Sequence, residues 1–523
     1  MPLIKEEQIK ADQHPFDAWE NLVRASREGF ASIAPENFLR FRWFGIYQQR
    51  PKTDPYFMLR LKLPGGRMNA TQLRTVAEVA RDYGRGIADI TTRQNFQFHW
   101  LTIENVPAVL EKFEAVGITT RGACGDVTRN ITSSPLAGLE PGEVDDLQDV
   151  LLTLHRQLVR DPYFANLPRK FKISITGSLG NAAQPEINDV GIYGFWKDKT
   201  KRIPAFAMRV GGGLSSHPLF AQPLPVALKR EDIIPAVMAV LQIFHDLGNR
   251  EDRREARMKF LVESWGARKF LQEMEKRMQR TFERFKNVPS AQNEREHFWG
   301  VIPQKQPGLY AVGLAVLAGR LQAGQLLALA DLSEKYGSGE LRTTNRQNML
   351  LINIPEKNLV PLKKGLTAKG FDLGANGIYR SLVVCTGREF CNLALVEVKV
   401  FSKKLIEYLT KTFPDFCETL TIHVTGCPNS CGQYQLADIG LMGVAKVVDG
   451  IRRDAFHIAV GGGPEVWGRK VFQSVLSEKA PALLENMLHV FLKKRNGKET
   501  FSDFCRRFTT EELVELWEPH AKA

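Results

Sequence analysis

The chain has 523 residues, 43% hydrophobic and 25% charged, the balance of a soluble globular protein too long for one small core, so two to four domains are expected. With 71 Lys and Arg against 58 Asp and Glu it carries a formal charge of +13, which favours an acidic partner, an anionic substrate or nucleic acid. The basic runs, such as KDKTKR and LKKRNGK, are dispersed and come with no nucleic-acid-binding motif, the N-terminal MPLIKEEQIKADQHPFDAWE reads as too polar for a secretory signal, and no apolar run of about 18 residues occurs, so no nucleic acid and no membrane is expected.

In chain order, residues 1–50 read as an N-terminal extension. YFMLRLKL then alternates as a strand, and NATQLRTVAEVARDYG reads as a helix with Asn69 as N-cap, ending near Gly84. DITTRQNFQFHWL returns to strand, and VPAVLEKFEAVG is a second helix. In LPRKFKIS, a strand would turn Lys170 and Lys172 to one face and Phe171 to the other. Residues from Arg230 to Phe285 read as mainly helical and as the link to a second module.

That second module repeats the first. GRMNATQLRTVAEVARDYGRGIADITTRQN, from Gly66 to Asn95, matches GRLQAGQLLALADLSEKYGSGELRTTNRQN, from Gly319 to Asn348, without a gap. Further on, KISITG with INDVGIYG is echoed by TIHVTG with LADIGLMG, and AFAMRVGGG by AFHIAVGGG. The period is too long for a solenoid and reads as a duplication with pseudo-twofold symmetry, able to enclose one large cofactor in a cleft between its halves. The fold class expected is α+β with mixed sheets.

Four of the seven cysteines fall in CTGREFC and TGCPNSCG: Cys385-x5-Cys391, then 35 residues, then Cys427-x3-Cys431. The x5 spacing fits a zinc knuckle poorly, and an unframed odd count of cysteines in a reducing cytoplasm argues against disulfides. An iron–sulfur cluster tolerates such spacings, and the Gly- and Pro-rich turn leaves backbone N–H groups to point at sulfur. The loops VGGGLSS and VGGGPE lack the dinucleotide fingerprint, and their glycines are expected to let backbone approach a cofactor.

Taken together, C-x5-C, TGCPNSCG, the duplicated TRQN strands and the glycine loops resemble the sirohaem-dependent sulfite and nitrite reductases over nearly the whole chain. The resemblance implies a three-domain arrangement around a central cofactor cleft: ferredoxin-like half-domains at 51–118 and 304–372, a sirohaem- and anion-binding domain at 119–290, and a cluster-binding domain at 373–523. It implies a [4Fe–4S] cluster on Cys385, Cys391, Cys427 and Cys431, with Cys431 also ligating the sirohaem iron. Arg60, Arg129, Lys170 and Lys172 match the four cations that meet the substrate anion. Arg93 matches a position near the sirohaem carboxylates, with Asn95 and Gln97 beside it. Tyr47 and Cys124 match a pair that some family sulfite reductases join covalently. The activity implied is six-electron reduction of sulfite, or of nitrite. Lys170-x-Lys172 and Tyr47 lean to sulfite, whose greater charge a second lysine suits. The donor implied is an acidic ferredoxin, drawn to the basic chain and in particular to FLKKRNGKE, with an NADPH-dependent flavoprotein as rival; a cytoplasmic monomer is expected. Cys417 and Cys505 are expected to be packing residues.

Overall fold

A computed structural model describes residues 3–292, 298–371, 373–374 and 376–518. The chain divides into two compact units. The first comprises Met1–Gly213, Pro218–Leu314 and Leu321–Phe371, and the second Leu214–His217, Ala315–Arg320 and Asp372–Ala523.

In the first unit the helix Ala70–Tyr83 starts at Asn69, whose side chain accepts from the Gln72 amide at 2.8 Å while Gln72 Oε1 accepts from the Asn69 amide at 3.0 Å. This capping box contributes about 1 kcal/mol, and the helix ends at Gly84 as the sequence predicts. The helix Val106–Ala115 follows. The expected long strand DITTRQNFQFHWL divides into Ile87–Ile90 and Phe96–Thr102, because Thr91–Asn95 forms a tight turn. Thr91 N donates to Asn95 O at 2.8 Å, and Gln94 sits at φ +57°, a left-handed conformation that reverses the chain.

The duplication builds two matching five-stranded sheets that exchange strands. One runs in the order Ile46–Gln48, Tyr56–Arg60, Phe96–Thr102, Ile87–Ile90, Arg320–Gln322; the other runs Gly300–Pro303, Leu309–Leu314, Met349–Pro355, Glu340–Thr343, Arg67–Asn69. Each copy lends its short strand to the edge of the other's sheet. The turn glutamines repeat the exchange: Gln94 Nε2 donates to Thr343 O at 3.2 Å, and Gln347 Nε2 to Ile90 O at 2.8 Å. Both glutamines are buried, so each amide hydrogen bond replaces one to water that neither could make.

The third sheet of this unit is mixed, in the order Gln222–Pro223, Ile203–Val210, Val190–Asp198, Phe171–Ile175, Thr128–Thr132. Phe171, Ile173 and Ile175 enter a core shared with Leu151, Val240, Phe244 and Met274 of the helices Gln148–Arg160, Ile233–Leu247 and Met258–Met278. The last two are the helical segment expected between Arg230 and Phe285. The N-terminal extension belongs to this unit: buried Trp43 donates from Nε1 to Ala165 O, and Lys10 Nζ to Leu167 O at 2.9 Å.

The second unit holds the counterpart sheet: Leu382–Val384, Ile422–Thr425, Ile439–Val448, Ile451–Val460, Arg469–Leu476. Its first two pairings are parallel and the next antiparallel, the same series that the counterpart shows when followed from Thr128–Thr132. Its core packs Val424, Leu441 and Phe456 with Leu405, Leu484, Phe504, Cys505 and Trp517. No helix among the described residues is long and apolar enough to cross a membrane.

Candidate functional site

Within the first unit, two of the cations the sequence singles out, Arg129 and Arg60, reach the segment Ala123–Gly125. Arg129, on the strand Thr128–Thr132, turns back onto it: Nε and Nη2 donate to Gly125 O at 3.1 and 2.8 Å, and Nη1 to Ala123 O at 3.4 Å. Gly125 is held at φ +88° with the Trp43 indole so close that a Cβ would lie 2.7 Å from it, so only glycine fits. Arg60 reaches the same segment from the strand Tyr56–Arg60, with Nη1 3.5 Å from Cys124 Sγ and Nη2 donating to Gln97 Oε1 at 3.1 Å. Two anchors fix the plane of this guanidinium. Tyr47 packs against the small cluster of Met58, Ala123 and Cys124, so the predicted Tyr47 and Cys124 pair is brought together.

Lys172 lies on the strand Phe171–Ile175, and Lys170 immediately precedes it. Phe171 is fully buried between them and stacks near Phe244, with ring centroids 5.6 Å apart, so the lysines stand off the core as the alternation predicts. Burial drives the Lys170 ammonium well below its ordinary value, and the charges of Arg257, Lys172, Arg169 and Arg129 push it the same way. Lys62, two residues past Arg60, is lowered to about 7 by burial and then by Arg129 and Arg93. Lys259 falls to about 8, again by burial first and then by Arg257, with Asp189 opposing. Asp189 is fully buried; it accepts from the Lys172 amide at 2.8 Å and holds Arg257 Nη2 at 2.9 Å from one oxygen and 3.0 Å from the other. A second buried acid, Asp126, holds Arg169 at 3.2 Å and Arg253 at 2.6 Å, and the cations still outnumber the two acids. Depressed lysines surrounded by guanidinium groups are the signature of a site that expects an anion.

Arg93, Asn95 and Gln97 have structural partners as well. Arg93 donates to Asn188 Oδ1 at 2.8 Å, to Ile173 O at 3.0 Å and to Asn130 O, and burial lowers it to about 9, so it remains charged. Asn95 Oδ1 accepts from the Leu63 amide at 3.0 Å. The glycine loop Gly211–Gly213 meets protein: a Cβ on Gly212 would lie 2.6 Å from both Asn188 O and Glu186 O, and one on Gly213 3.1 Å from Arg257 Nη2. The room these glycines leave is used by the protein's own backbone and by Arg257. Sequence reasoning missed Lys62, Asp189, Arg257 and Lys259. Lys62 was visible as the next same-face residue after Arg60, whereas Arg257 and Lys259 were absorbed into a helical reading.

In the second unit the cysteines occupy two loops. Cys385 ends the strand Leu382–Val384, and its sulfur accepts from the Gly426 amide at 3.1 Å and from that of Gly387. Cys391 N donates to Gly387 O at 3.0 Å, closing the first loop, and Leu395 N donates to Gly426 O at 2.8 Å, tying the two loops together. In the second loop Ser430 N donates to Cys427 O at 3.3 Å, with Ser430 and Gln433 both in the left-handed region at φ +53° and +58°. Such strain collects at functional loops. After burial, Cys431 and Cys391 oppose ionisation of Cys427, and Cys431 that of Cys385, which puts all four sulfurs in one neighbourhood. Burial pushes the Cys385 thiol up to about 12 and raises Cys427 too, so binding iron must displace protons. No three His, Cys, Asp or Glu side chains among the described residues converge on a single metal ion, and a four-iron cluster, being wider than one ion, asks its thiolates to stand apart. The donor set, amides aimed at sulfur and soft ligands on two rigid loops, fits a cluster. None of the seven cysteines is in a disulfide. Cys505 packs in the core beneath Gly461, as expected, whereas Cys417 is exposed and is not a packing residue.

Comparisons with known proteins agree with this chemistry. The nitrite and sulphite reductase 4Fe-4S domain matches residues 124–282 and 377–523, and the nitrite/sulfite reductase ferredoxin-like half domain matches 49–116 and 302–369. The chain is 35% identical to an assimilatory ferredoxin-dependent nitrite reductase of Haloferax mediterranei, over 98% of this chain and 93% of the relative. It is also 35% identical to the sulfite reductase [ferredoxin] 1 of Mycolicibacterium paratuberculosis, over 98% and 96%. The solved structure of the Mycobacterium tuberculosis NirA protein superimposes with a TM-score of 0.92 at 33% identity, covering 98% of both chains. With its duplicated half-domains, its cation pocket and its paired cysteine loops, the chain belongs to the nitrite and sulphite reductase family.

Proposed function

We propose that the protein reduces sulfite to sulfide with six electrons from reduced ferredoxin, and that nitrite, reduced to ammonia, is an alternative substrate of the same site. The observation that carries this reading is the excess of enclosed cations around Lys170. An oxyanion neutralises them, and in doing so raises the lysines back toward their charged forms, so anion and proton bind together. Each oxygen that leaves sulfite as water takes two protons, and Lys170 Nζ is poised to hand one over because burial has already weakened its hold on it. Arg60 and Arg129, anchored on Gln97 and on the Ala123 and Gly125 carbonyls, orient the anion without themselves giving up protons. Lys172 adds charge that suits sulfite over nitrite.

Cys385, Cys391, Cys427 and Cys431 would hold the [4Fe–4S] cluster. Cys431 is the one exposed to solvent among the four, which suits its proposed second role as ligand to the sirohaem iron. When bound, the two groups supply electrons to the anion one at a time. An acidic ferredoxin matches the basic chain; Lys493 and Lys494, exposed at the end of the helix Ala480–Lys494, are the proposed docking surface, while Arg495 is engaged by Glu418 at 2.7 Å.

Steady-state rates on both anions with reduced ferredoxin test the reading, in the parent and in Lys172→Asn. Sulfite turnover falls more than nitrite turnover in the variant. Equal losses remove the substrate preference, and no turnover of either anion by the parent removes the activity.

A further inference from the structure

Arg60 lies opposite Gln97 in the pairing of Tyr56–Arg60 with Phe96–Thr102, and Asp89 lies opposite the same Gln97 from the strand Ile87–Ile90. One rung thus crosses three strands as Arg60, Gln97, Asp89, and directly opposed residues share a face of the sheet. His99 joins the row: its Nε2 is 3.4 Å from Gln97 Nε2 and 3.6 Å from Asp89 Oδ2. The side chains of Asp89 and His99 are each 1% exposed, on strands otherwise filled by Ile87, Ala88, Ile90, Phe96 and Phe98. A carboxylate and an imidazole set into such a sheet are costly unless they do something for a neighbour.

We propose that Asp89 and His99 are positioning residues for Arg60, acting through Gln97; the inference rests on the reading that Arg60 meets the anion. The Gln97 amide has two orientations that differ by exchanging its oxygen and its NH2 group. In the one seen, NH2 faces His99 Nε2, which accepts from it when the ring carries its proton on Nδ1, Asp89 stands beside them in the same rung, and Oε1 accepts from Arg60 Nη2 at 3.1 Å. Flipped, the amide would set its NH2 against a guanidinium and its oxygen against the bare ring nitrogen of His99, on the side of the Asp89 charge, unfavourable at both ends. The buried pair therefore selects the orientation in which Gln97 holds Arg60. With Nη1 resting 3.5 Å from Cys124 Sγ, the guanidinium is fixed at two points.

The test is optical titration of the oxidised holoenzyme with sulfite and with nitrite, beside kcat and KM, in Asp89→Leu, Asp89→Asn, Arg60→Ala and the Asp89→Leu/Arg60→Ala double variant. Loss of the oriented hydrogen bond in Asp89→Leu is expected to raise the Kd of both anions about tenfold, the equivalent of about 1.4 kcal/mol, with kcat changed less than about threefold. Asp89→Asn, which keeps a polar oxygen at that place beside His99, recovers most of the affinity. In the Arg60→Ala background Asp89→Leu adds less than about twofold, because the group it positions is gone. An unchanged Kd in Asp89→Leu overturns the proposal, and so does a tenfold loss that persists without Arg60. If Arg60→Ala alone leaves Kd unchanged, the placement of Arg60 at the anion fails, and this proposal with it. Should Asp89→Leu yield no holoenzyme, His99→Leu carries the same expectations and the same overturning results.

Discussion

Replacing Asp189 by Asn tests whether one buried carboxylate organises the cation pocket. Asp189 is fully buried, and both its oxygens lie within 3.0 Å of Arg257 Nη2, whose side chain is 10% exposed. Removing one partner of such a pair costs about 3–5 kcal/mol, because the charge left behind stays in a low-dielectric site. Asn keeps an oxygen that can accept from the Lys172 amide, now at 2.8 Å, so the lower end, about 3 kcal/mol, is expected. In a unit this large each kcal/mol lowers Tm by about 2 °C, giving a fall of about 6 °C. Asp189 also props up the charged forms of Lys259 and Arg93, so both shift further down in the variant. Differential scanning calorimetry of the holoenzyme reads the change, with near-ultraviolet circular dichroism confirming an unaltered fold at 25 °C. A Tm within about 1 °C of the parent would refute the argument, since it would mean Arg257 needs no counter-ion there.

Lys62 sets a pH dependence. Its folded value, about 7, lies below the ordinary 10.5, so between these the unfolded chain binds a proton that the folded one does not, and stability rises as pH climbs through that window. Lys62→Met should flatten that slope in denaturant titrations at pH 7 and pH 9; an unaltered slope contradicts the burial of its amine. Gln347→Leu should destabilise by about 1–3 kcal/mol through its lost bond to the Ile90 carbonyl, and Gln94→Leu by at least as much because it loses bonds to Thr343 O, Ser133 O and the Ser133 amide, both read from urea midpoints; an unchanged midpoint in either would contradict the exchange. Cys385→Ser should lower iron to well below the parent stoichiometry by elemental analysis while leaving far-ultraviolet circular dichroism intact, because the loop retains its Leu395 to Gly426 hydrogen bond; full iron content would remove Cys385 from the cluster.

Much of the fold was legible because its signals are local. Asn69 and Gln72 announce a helix start, and the apolar alternation through Phe171 to Ile175 announces a buried strand face. The Thr91–Asn95 turn was not legible: no glycine or proline marks it, and Gln94 takes a positive φ for the sake of its side-chain bond to a residue of the other copy. The repeat itself could be read, but not which copy completes which sheet, since that is decided by pairing between residues far apart in sequence. For the site, the cysteines and the four principal cations stood out by spacing and by family pattern. Arg257 and Lys259 did not, because Arg257 sits at the cap position of a long helix, where a basic residue reads as solvated surface. Asp189 was hidden for the same kind of reason, its value lying in partners on two other segments.

The exchange of edge strands between the two half-domains bears on biosynthesis. A nascent chain that has produced only the first copy has an open sheet edge at Ile87–Ile90, and the strand that closes it is not made until Arg320–Gln322 emerges. At ribosomal speeds of roughly 5–20 residues per second the gap lasts on the order of ten seconds or more. During that interval a hydrophobic sheet is exposed to neighbouring ribosomes' products, so expression of the first half alone should aggregate, and high yield should depend on chaperone supply and slow growth.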